Sequence, residues 1–360
     1  MSRPSDVVYF LSGVVAALLM VMLCFALGGR HKSPKERVSP VVQPPVHPAK
    51  MQSPVLQTLT VQPPIVQSPP PSCEWKFISY TPSPYEQFWT ENIASLQWDV
   101  CNQSNRQLAE VTEWIEHSRQ SDAPHAFPAR IFSYYSFRNP CTGETLVDFI
   151  EPLAGLTRSP LFCLNGDADV VSKEYLVVSW NASRKLLAGK AYYFDLGASL
   201  YHSGSGGSSQ DWFVETYERR GIKWDGIFAW EVAPHDPAVV WGSIPAHLRP
   251  IYHWYNIPTH ADPAHPDNAL NYIVRVATPE DFVVLKLDID NTEIEEALVN
   301  QILSSERLRG LIDELFFEHH VNTPPMHRYW QTAASPRMLT DTYRIFSALR
   351  HGGILAHSWV

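Results

Sequence analysis

Four short apolar runs recur through the second half of the chain, and each ends in or beside a charged side chain. The runs are continuously apolar rather than alternating, which is typical of parallel strands buried on both faces. Segments with helical spacing lie between them, as from Ile294 to Ile302. Strands that alternate with helices predict an α/β fold, a mostly parallel, Rossmann-like sheet with helices on both faces. The four runs are Ala191–Leu196, Gly226–Trp230, Phe282–Leu287 and Leu315–Phe317.

The charged ends of these runs predict a ligand site. In open α/β sheets the carboxyl ends of parallel strands lie along one edge, and ligands bind there. A single charged end can simply mark where a buried strand reaches the surface. Four such ends, with a glycine in the first turn, favour a binding site. The residues concerned are Asp195, Glu231, Asp288, Glu318, His319 and His320.

Local signals predict further elements. Ser208 and Asp211 have the spacing of a helix start, and Gly221 can end that helix in the left-handed conformation. Thr292 and Glu295 have the same capping spacing before a second helix. The apolar segment Glu174–Trp180 predicts one more strand, ahead of the four runs.

The turn after the first run suits a nucleoside-like cofactor. Gly197 has no side chain, so a ligand can approach the backbone closely. Glu231 ends the second run, where an acid often accepts hydrogen bonds from ribose hydroxyls. The chain has no Gly-x-Gly-x-x-Gly pattern, which a dinucleotide pyrophosphate favours. S-adenosylmethionine, which has no pyrophosphate, therefore fits this turn better than a dinucleotide does.

Four segments in residues 191–320 come in the order found in the FkbM-type S-adenosylmethionine-dependent methyltransferases, and each resembles a motif of that family. YYFDLGAS and IFAWEVAP resemble the first two strand motifs of the family. DFVVLKLDIDNTEIE resembles its Asp-Phe-x-x-x-Lys-x-Asp-x-Glu-Gly-x-Glu segment, and ELFFEHH resembles the strand that follows that segment. The chain departs at Asp290 and Asn291, where the family has Glu and Gly, and at the Ser/Gly stretch 203–209. The resemblance implies S-adenosylmethionine bound by Asp195, Gly197, Ala198, Glu231 and Asp288.

The same resemblance implies O-methylation of a hydroxyl group, on a glycan or a lipid-linked molecule. Such a transfer needs the acceptor oxygen in line with the methyl group, and a general base assists it. We expect Asp288 and His319 to be the catalytic residues, although a histidine at a strand end is often structural. His320 and His202 are further candidates. For this activity we expect no residue of the site to bind a metal.

The start of the chain predicts a membrane anchor. Val7–Leu27 carries no charge and is long enough to cross a hydrocarbon core of about 30 Å. It is longer than the apolar part of most cleaved signal peptides. The next segment is rich in Pro, Val, Gln and Ser and cannot pack a core. The expected order is a tail at 1–6, an anchor at 7–29, a stem at 30–72, an N-terminal extension at 73–190 packed on the core, and a methyltransferase-like domain at 191–360.

The signals for membrane orientation conflict. Basic residues after the apolar run favour a cytosolic domain. Glycosylation patterns at Asn102 and Asn181, and an even number of cysteines suited to two disulfides, favour the lumen. We expect a single-pass protein of the Golgi or endoplasmic reticulum with a lumenal domain. The even number counts the four cysteines of the folded part, Cys73, Cys101, Cys141 and Cys163, whereas the fifth, Cys24, lies in the apolar run.

Two other functions stay open. In a lumenal glycosyltransferase, Asp288 and Asp290 would hold a divalent metal for a nucleotide-sugar. In a non-catalytic binding module, the stretch 203–209 would replace a working cofactor turn. The expected partners are the membrane and a small-molecule or glycan acceptor. The net charge of −9 argues against nucleic acid, because phosphate backbones attract basic surfaces.

Overall fold

The four apolar runs are strands of one parallel sheet, as the sequence predicts. The computed structural model describes residues 75–120, 127–179, 189–202 and 210–360. Within these ranges the strands are β1 (Lys76–Thr81), β2 (Ser133–Arg138), β3 (Thr145–Ile150), β4 (Ala191–Leu196), β5 (Gly226–Trp230), β6 (Tyr252–Tyr255), β7 (Phe282–Leu287), β8 (Glu314–Phe317) and β9 (Leu355–Ser358).

Helices separate the strands of the parallel sheet. Several begin where a side chain caps the first turn: Asn268 accepts a hydrogen bond from Leu270 N, and Asn291 accepts one from Ile294 N. The described α-helices are α1 (Pro84–Leu96), α2 (Val100–Arg106), α3 (Leu108–Arg119), α4 (Leu161–Asn165), α5 (Gln210–Glu218), α6 (Pro237–Ser243), α7 (Ala269–Val276), α8 (Thr292–Ser304), α9 (Glu306–Leu311), α10 (His327–Trp330) and α11 (Leu339–His351).

The parallel sheet reverses its strand order in the middle. The order is β6-β5-β4-β7-β8-β9, and every neighbouring pair is parallel. From β4 the chain moves outward through β5 to β6, returns to β7 beside β4, and continues to β8 and β9. The predicted Rossmann-like sheet, flanked by helices, is confirmed. A ligand crevice is expected outside the carboxyl ends of β4 and β7, where the direction reverses.

Aromatic side chains fill the layer between this sheet and α5. Phe213 and Tyr217 lie four residues apart, on one face of α5, and both are fully buried. The Phe213 ring stacks on Tyr193 with centroids 4.8 Å apart and meets Phe316 edge-on at 4.9 Å. Rings of this size bury large apolar areas and prefer such offset or edge-on contacts. They fix α5 against β4 and β8.

Residues 75–179 contain a second sheet, which is antiparallel and has the order β1-β2-β3. A disulfide joins Cys101 in α2 to Cys163 at α4, which agrees with the expectation of paired cysteines. Cys141 is also disulfide-bonded. The Cys101–Cys163 bridge joins residues 62 positions apart in sequence. Because it closes a loop of that length, it restricts the unfolded chain and stabilises the fold.

A buried arginine connects this N-terminal part to the parallel sheet. Arg350 in α11 is 1% exposed, and its Nη1 lies 2.9 Å from Glu86 Oε2 and 3.1 Å from Glu151 O. Its Nε donates to Ala356 O at 3.0 Å. Buried charges are tolerated when they are paired and hydrogen-bonded in this way. The arginine therefore ties α1 and the end of β3 to α11 and β9.

The prediction of a strand at Glu174–Trp180 is wrong for residues 174–179, the part of the segment that the structure describes. Glu174 and Tyr175 form a turn, and residues 176–179 are buried without strand pairing. Their backbone N–H groups are used elsewhere: Val177 N donates to Glu151 Oε2 at 2.9 Å, and Ser179 N donates to Glu314 Oε1 at 2.8 Å. Buried N–H groups need an acceptor, and here side-chain carboxylates replace a neighbouring strand.

The predicted cap at Thr292 is displaced by one residue. Asn291 is the N-cap of α8, and its side chain accepts from Ile294 N at 3.2 Å. Glu295 turns back and accepts from Ile289 N instead. Gly221 has φ +83°, so the predicted left-handed conformation after α5 is confirmed.

Several predicted features lie outside the described residues: the tail at 1–6, the anchor at 7–29, the stem at 30–72, Cys73, Asn181 and the stretch 203–209. In the part of the chain that the structure describes, each helix is too short or too polar to span a bilayer. The other glycosylation pattern starts at Asn102, an exposed residue of α2.

We predict that Arg350→Met lowers the free energy of unfolding by about 3–5 kcal/mol, because it leaves the buried carboxylate of Glu86 without its cation. Arg344→Met on the same helix is the control. Arg344 is 72% exposed and, among the described residues, pairs with Asp341 at 3.4 Å, so its loss should cost less than about 1 kcal/mol. Urea unfolding of both variants measures this. Equal effects would contradict the role given to Arg350.

A second prediction concerns Glu314, at the start of β8. Burial raises its pKa to about 7, against hydrogen bonds from Tyr217 and Ser179 N and the charge of His357, which lower it. The folded state therefore holds this proton more tightly than the unfolded state, whose value is near 4.5. The contribution of Glu314 to the free energy of unfolding therefore falls as the pH rises from about 4.5 to about 7, and above that it levels off.

Glu314→Gln cannot ionise, so its unfolding free energy relative to the unmutated chain should rise by roughly 2–3 kcal/mol between about pH 4.5 and pH 7.5. The amide oxygen can still accept the hydrogen bond from Ser179 N. Denaturant titrations at the two pH values measure the difference. A difference that does not change with pH would refute the assignment.

Candidate functional site

A buried lysine lies at the point where the strand order reverses. Lys286, in β7, is 1% exposed. Its Nζ lies 3.2 Å from Asp195 Oδ1, 3.2 Å from Asp288 Oδ2, and 2.9 Å from Gly197 O, to which it donates. Burial opposes the charge, but the carboxylates of Asp195 and Asp288 raise the pKa of Lys286 above its ordinary value. The ammonium ion therefore joins the carboxyl ends of β4 and β7.

Asp195 is part of this support and does not line the cleft above it. It is 1% exposed, and its carboxylate faces Lys286. Burial raises its pKa, while the Lys286 charge acts in the opposite direction. Asp195 therefore lies where it positions Lys286, which in turn holds the Gly197 turn and Asp288, and its cofactor contact stays a prediction.

The turn at Gly197 requires glycine for a reason that the sequence does not reveal. Its φ is +84°, and a Cβ there would lie 1.6 Å from Asp288 O. The backbone of the β7 end occupies the space that a side chain would need. Gly197 N and Ala198 N both donate to Trp230 O, at 3.0 and 2.9 Å. Gly197 lines the cleft, whereas Ala198 is buried beside it.

Glu231 is held at the end of β5 with its carboxylate facing the cleft. Its Oε2 accepts from Ser199 N at 2.8 Å, and its Oε1 accepts from Ala233 N at 2.6 Å. Asn256 supports the same turn by donating to Glu231 O at 2.7 Å. Each carboxylate oxygen can accept a further hydrogen bond, so the two remaining acceptor positions can meet a pair of hydroxyls.

A cleft of about 930 Å³ lies outside the carboxyl ends of these strands. Its position is that expected for a ligand at the reversal of strand order, and its size is in the range of small-molecule sites. Of the predicted site residues, Gly197, Glu231 and Asp288 line it, and Asp195, Ala198 and His319 do not. Its walls also include Ser199, Trp230, Ile257, Thr259, Asp290, Asn291, Glu318, His320, Tyr329 and Trp330.

Asp288 and Glu318 form an interacting pair of carboxyl groups in this cleft. Burial and the neighbouring Glu318 raise the pKa of Asp288 to about 7, against the Lys286 charge, which lowers it. For Glu318 burial acts in the same direction, but a hydrogen bond from His320 and the charge of Arg158 hold its pKa well below the usual range. Of the pair, Asp288 is therefore the group that titrates near neutral pH, and Glu318 is the one that stays ionised.

His319, predicted as a catalytic residue, faces the interior. It is 3% exposed, and its ring nitrogens lie 3.0 Å from Thr342 Oγ1 and 3.1 Å from Glu296 Oε1. Burial lowers its pKa. These contacts join the end of β8 to α8 and α11, which is a structural role.

His320 is the histidine that reaches the cleft. Its Nε2 lies 3.1 Å from Glu318 Oε2, and its ring stacks on Trp330 with centroids 5.2 Å apart. Side chains of an extended segment alternate between faces, so Glu318 and His320 share one side and His319 takes the other. That alternation was the sequence signal for choosing His320.

Two site residues carry no sequence signal. Arg158 is 4% exposed, and its Nη1 donates to Glu318 Oε1 at 2.8 Å. Trp330 Nε1 donates to the same oxygen at 2.9 Å, and the Arg158 guanidinium lies 5.5 Å from the Trp330 ring centroid. Arg158 comes from the region before β4, which therefore contributes directly to the cleft.

Comparison with family models, with curated proteins and with solved structures gives no match for this chain. The likeness of residues 191–320 to the FkbM-type motifs stays a prediction.

We predict that Gly197→Ala destabilises the chain by more than about 3 kcal/mol. It combines a positive φ, which costs about 1–2 kcal/mol for a residue with a Cβ, with overpacking against Asp288 O. Gly221→Ala is the matched control, because its φ is +83° but nothing lies within 4 Å of the added Cβ. It should cost only about 1–2 kcal/mol. Thermal or urea unfolding distinguishes the two, and equal costs would contradict the close contact.

Proposed function

We propose that the chain is a membrane-anchored, S-adenosylmethionine-dependent O-methyltransferase of the FkbM type. The observation that carries the proposal is the Glu231 carboxylate, fixed by Ser199 N and Ala233 N and facing the cleft where the strand order reverses. An acid in this place accepts hydrogen bonds from ribose hydroxyls in nucleoside-binding α/β folds. The ordered motifs of residues 191–320 point to the same cofactor.

The residues present suit a nucleoside cofactor without a pyrophosphate. Glu231 keeps acceptor capacity on both carboxylate oxygens, and the cleft volume of about 930 Å³ is sufficient for such a ligand. Gly197 and Ser199 expose the turn after β4 to the same space. When bound, S-adenosylmethionine supplies the methyl group. The chain's own residues orient it and exclude water.

The acceptor end of the cleft lies beyond Asp288. This carboxyl group lines the cleft next to Gly197, so it is placed to take the proton of an acceptor hydroxyl. His319 has no part in the proposal, because its ring is enclosed. Tyr329 and Trp330 offer amphipathic rings along the wall. They suit a glycan or a lipid-linked molecule that presents a hydroxyl group.

We place this activity in the lumen of the Golgi or endoplasmic reticulum. The Cys101–Cys163 disulfide supports an oxidising compartment, where structural disulfides persist. The uncharged run Val7–Leu27 supports a single membrane anchor.

A metal-dependent glycosyltransferase is the second candidate. The observation that favours it is the closeness of Asp290, Glu318 and His320, whose ligand atoms lie within 4.8 Å of one another. Asp288, the other acid of the Asp-x-Asp pattern, is not one of this group and faces Lys286 instead. A nucleotide-sugar would occupy the same cleft in this case.

We predict that the purified full-length chain binds S-adenosylhomocysteine in a calorimetric titration and that Glu231→Gln weakens the binding roughly 10- to 100-fold. Hydrogen bonds to a charged group contribute about 1.5–3 kcal/mol, and about 1.4 kcal/mol is a factor of ten. Glu293→Gln is the control, since that side chain is 77% exposed and lies outside the cleft lining. Its affinity should equal that of the unmutated chain.

Two results would overturn the proposal. Binding of a nucleotide-sugar in place of S-adenosylhomocysteine would move the assignment to the glycosyltransferase. Binding of neither by a chain with normal thermal unfolding would favour the non-catalytic module.

A further inference from the structure

Three ligand-type side chains converge at the acceptor end of the cleft. Asp290, Glu318 and His320 each place one ligand atom within 4.8 Å of the others. His320 Nε2 and Glu318 Oε2 are 3.1 Å apart. Two ligands at right angles, each about 2.2 Å from an ion, are separated by about 3.1 Å. The two atoms share a hydrogen bond in this structure, and because its length equals this ligand separation, an ion can replace the proton between them without moving either atom.

The burial of the three residues also suits an ion with open positions. Glu318 is buried, His320 is half-buried and Asp290 is exposed. The group is thus anchored on the protein side and open on the cleft side. An ion held by three protein ligands can take water or a substrate oxygen in its remaining positions.

A buried atom without a partner gives independent support. Glu295 is fully buried, and its Oε1 accepts from Ile289 N at 2.8 Å. Its Oε2 has no hydrogen-bond partner among the described residues. The hydrogen bond to Ile289 N, between Asp288 and Asp290, places the Glu295 carboxyl group beside the same turn. A buried polar atom of this kind calls for an ion or an ordered water.

We propose that Asp290, Glu318 and His320 bind a divalent cation. Two carboxylates and one imidazole suit Mn²⁺, because carboxylate ligands favour Mg²⁺ and Mn²⁺ and an imidazole favours the transition metals. Glu318 Oε1 stays bonded to Arg158 and Trp330, at 2.8 and 2.9 Å, which orients Oε2 toward the ion. The site differs from the metal-free one that the sequence led us to expect.

The cation would hold and polarise an oxygen of the acceptor beside Asp288. This inference goes beyond the proposed methyl transfer, since it does not require S-adenosylmethionine. The site is formed by the ends of β7 and β8 and is separate from Glu231 at the end of β5.

The test is a titration of the metal-depleted full-length chain with Mn²⁺ alone, in which electron paramagnetic resonance measures the free ion. We expect one bound Mn²⁺ per chain. Asp290→Asn and His320→Gln should each weaken binding by about tenfold or more. Asp290 has φ +55°, and asparagine adopts that conformation readily, so the first variant keeps the backbone. Thermal unfolding of each metal-free variant shows whether it is folded.

His265→Asn is the matched control. His265 belongs to a second group of ligand-type residues, with His260 and Asp267, outside the cleft lining. Its loss should leave Mn²⁺ affinity unchanged. The proposal would be overturned by absence of binding to the folded chain, by cleft variants that bind Mn²⁺ as tightly as the unmutated chain, or by loss of binding in His265→Asn. Because no nucleoside is present in this experiment, each of these results leaves the cofactor proposal standing.

Discussion

The buried ammonium ion of Lys286 is the interaction on which the candidate site depends. It joins Asp195 at the end of β4, Asp288 at the end of β7 and the carbonyl oxygen of Gly197 between them. A charge that is 1% exposed is stable only when its partners stay in place. Lys286 therefore fixes the two strand ends at the reversal of strand order. The Gly197 turn can then pack against the Asp288 backbone.

The rest of the cleft is built outward from this centre. On one side, Trp230 O accepts hydrogen bonds from the N–H groups of the Gly197 turn, and the Glu231 carboxylate accepts one from Ser199 N. These bonds align β5 with β4. On the other side, Glu318 is held by Arg158. Arg158 lies before β4, in the same part of the chain that Arg350 ties to α11. The N-terminal part is thus structurally joined to the parallel sheet and supplies one wall of the cleft.

The sequence predicts those features that depend on local patterns. Continuous apolar runs reveal β4, β5, β7 and β8, whereas the short edge strands β6 and β9 mix apolar residues with histidine and are missed. The sequence predicts where the site residues lie along the chain, but not which way their side chains point. Ala198 and His319 sit at the expected strand ends, yet their side chains pack inward. Arg158 meets Glu318 across 160 residues, a contact that no local pattern encodes.

We propose that Glu231 receives the sugar of a nucleoside cofactor, and a crystal structure of the full-length chain grown with S-adenosylhomocysteine would show this contact. We expect the ribose hydroxyl oxygens to lie about 2.5–3.0 Å from the Glu231 carboxylate, within the cleft that also contains Gly197 and Asp288. A nucleoside bound away from Glu231, or a well-ordered cleft that stays empty at saturating ligand, would refute the proposal.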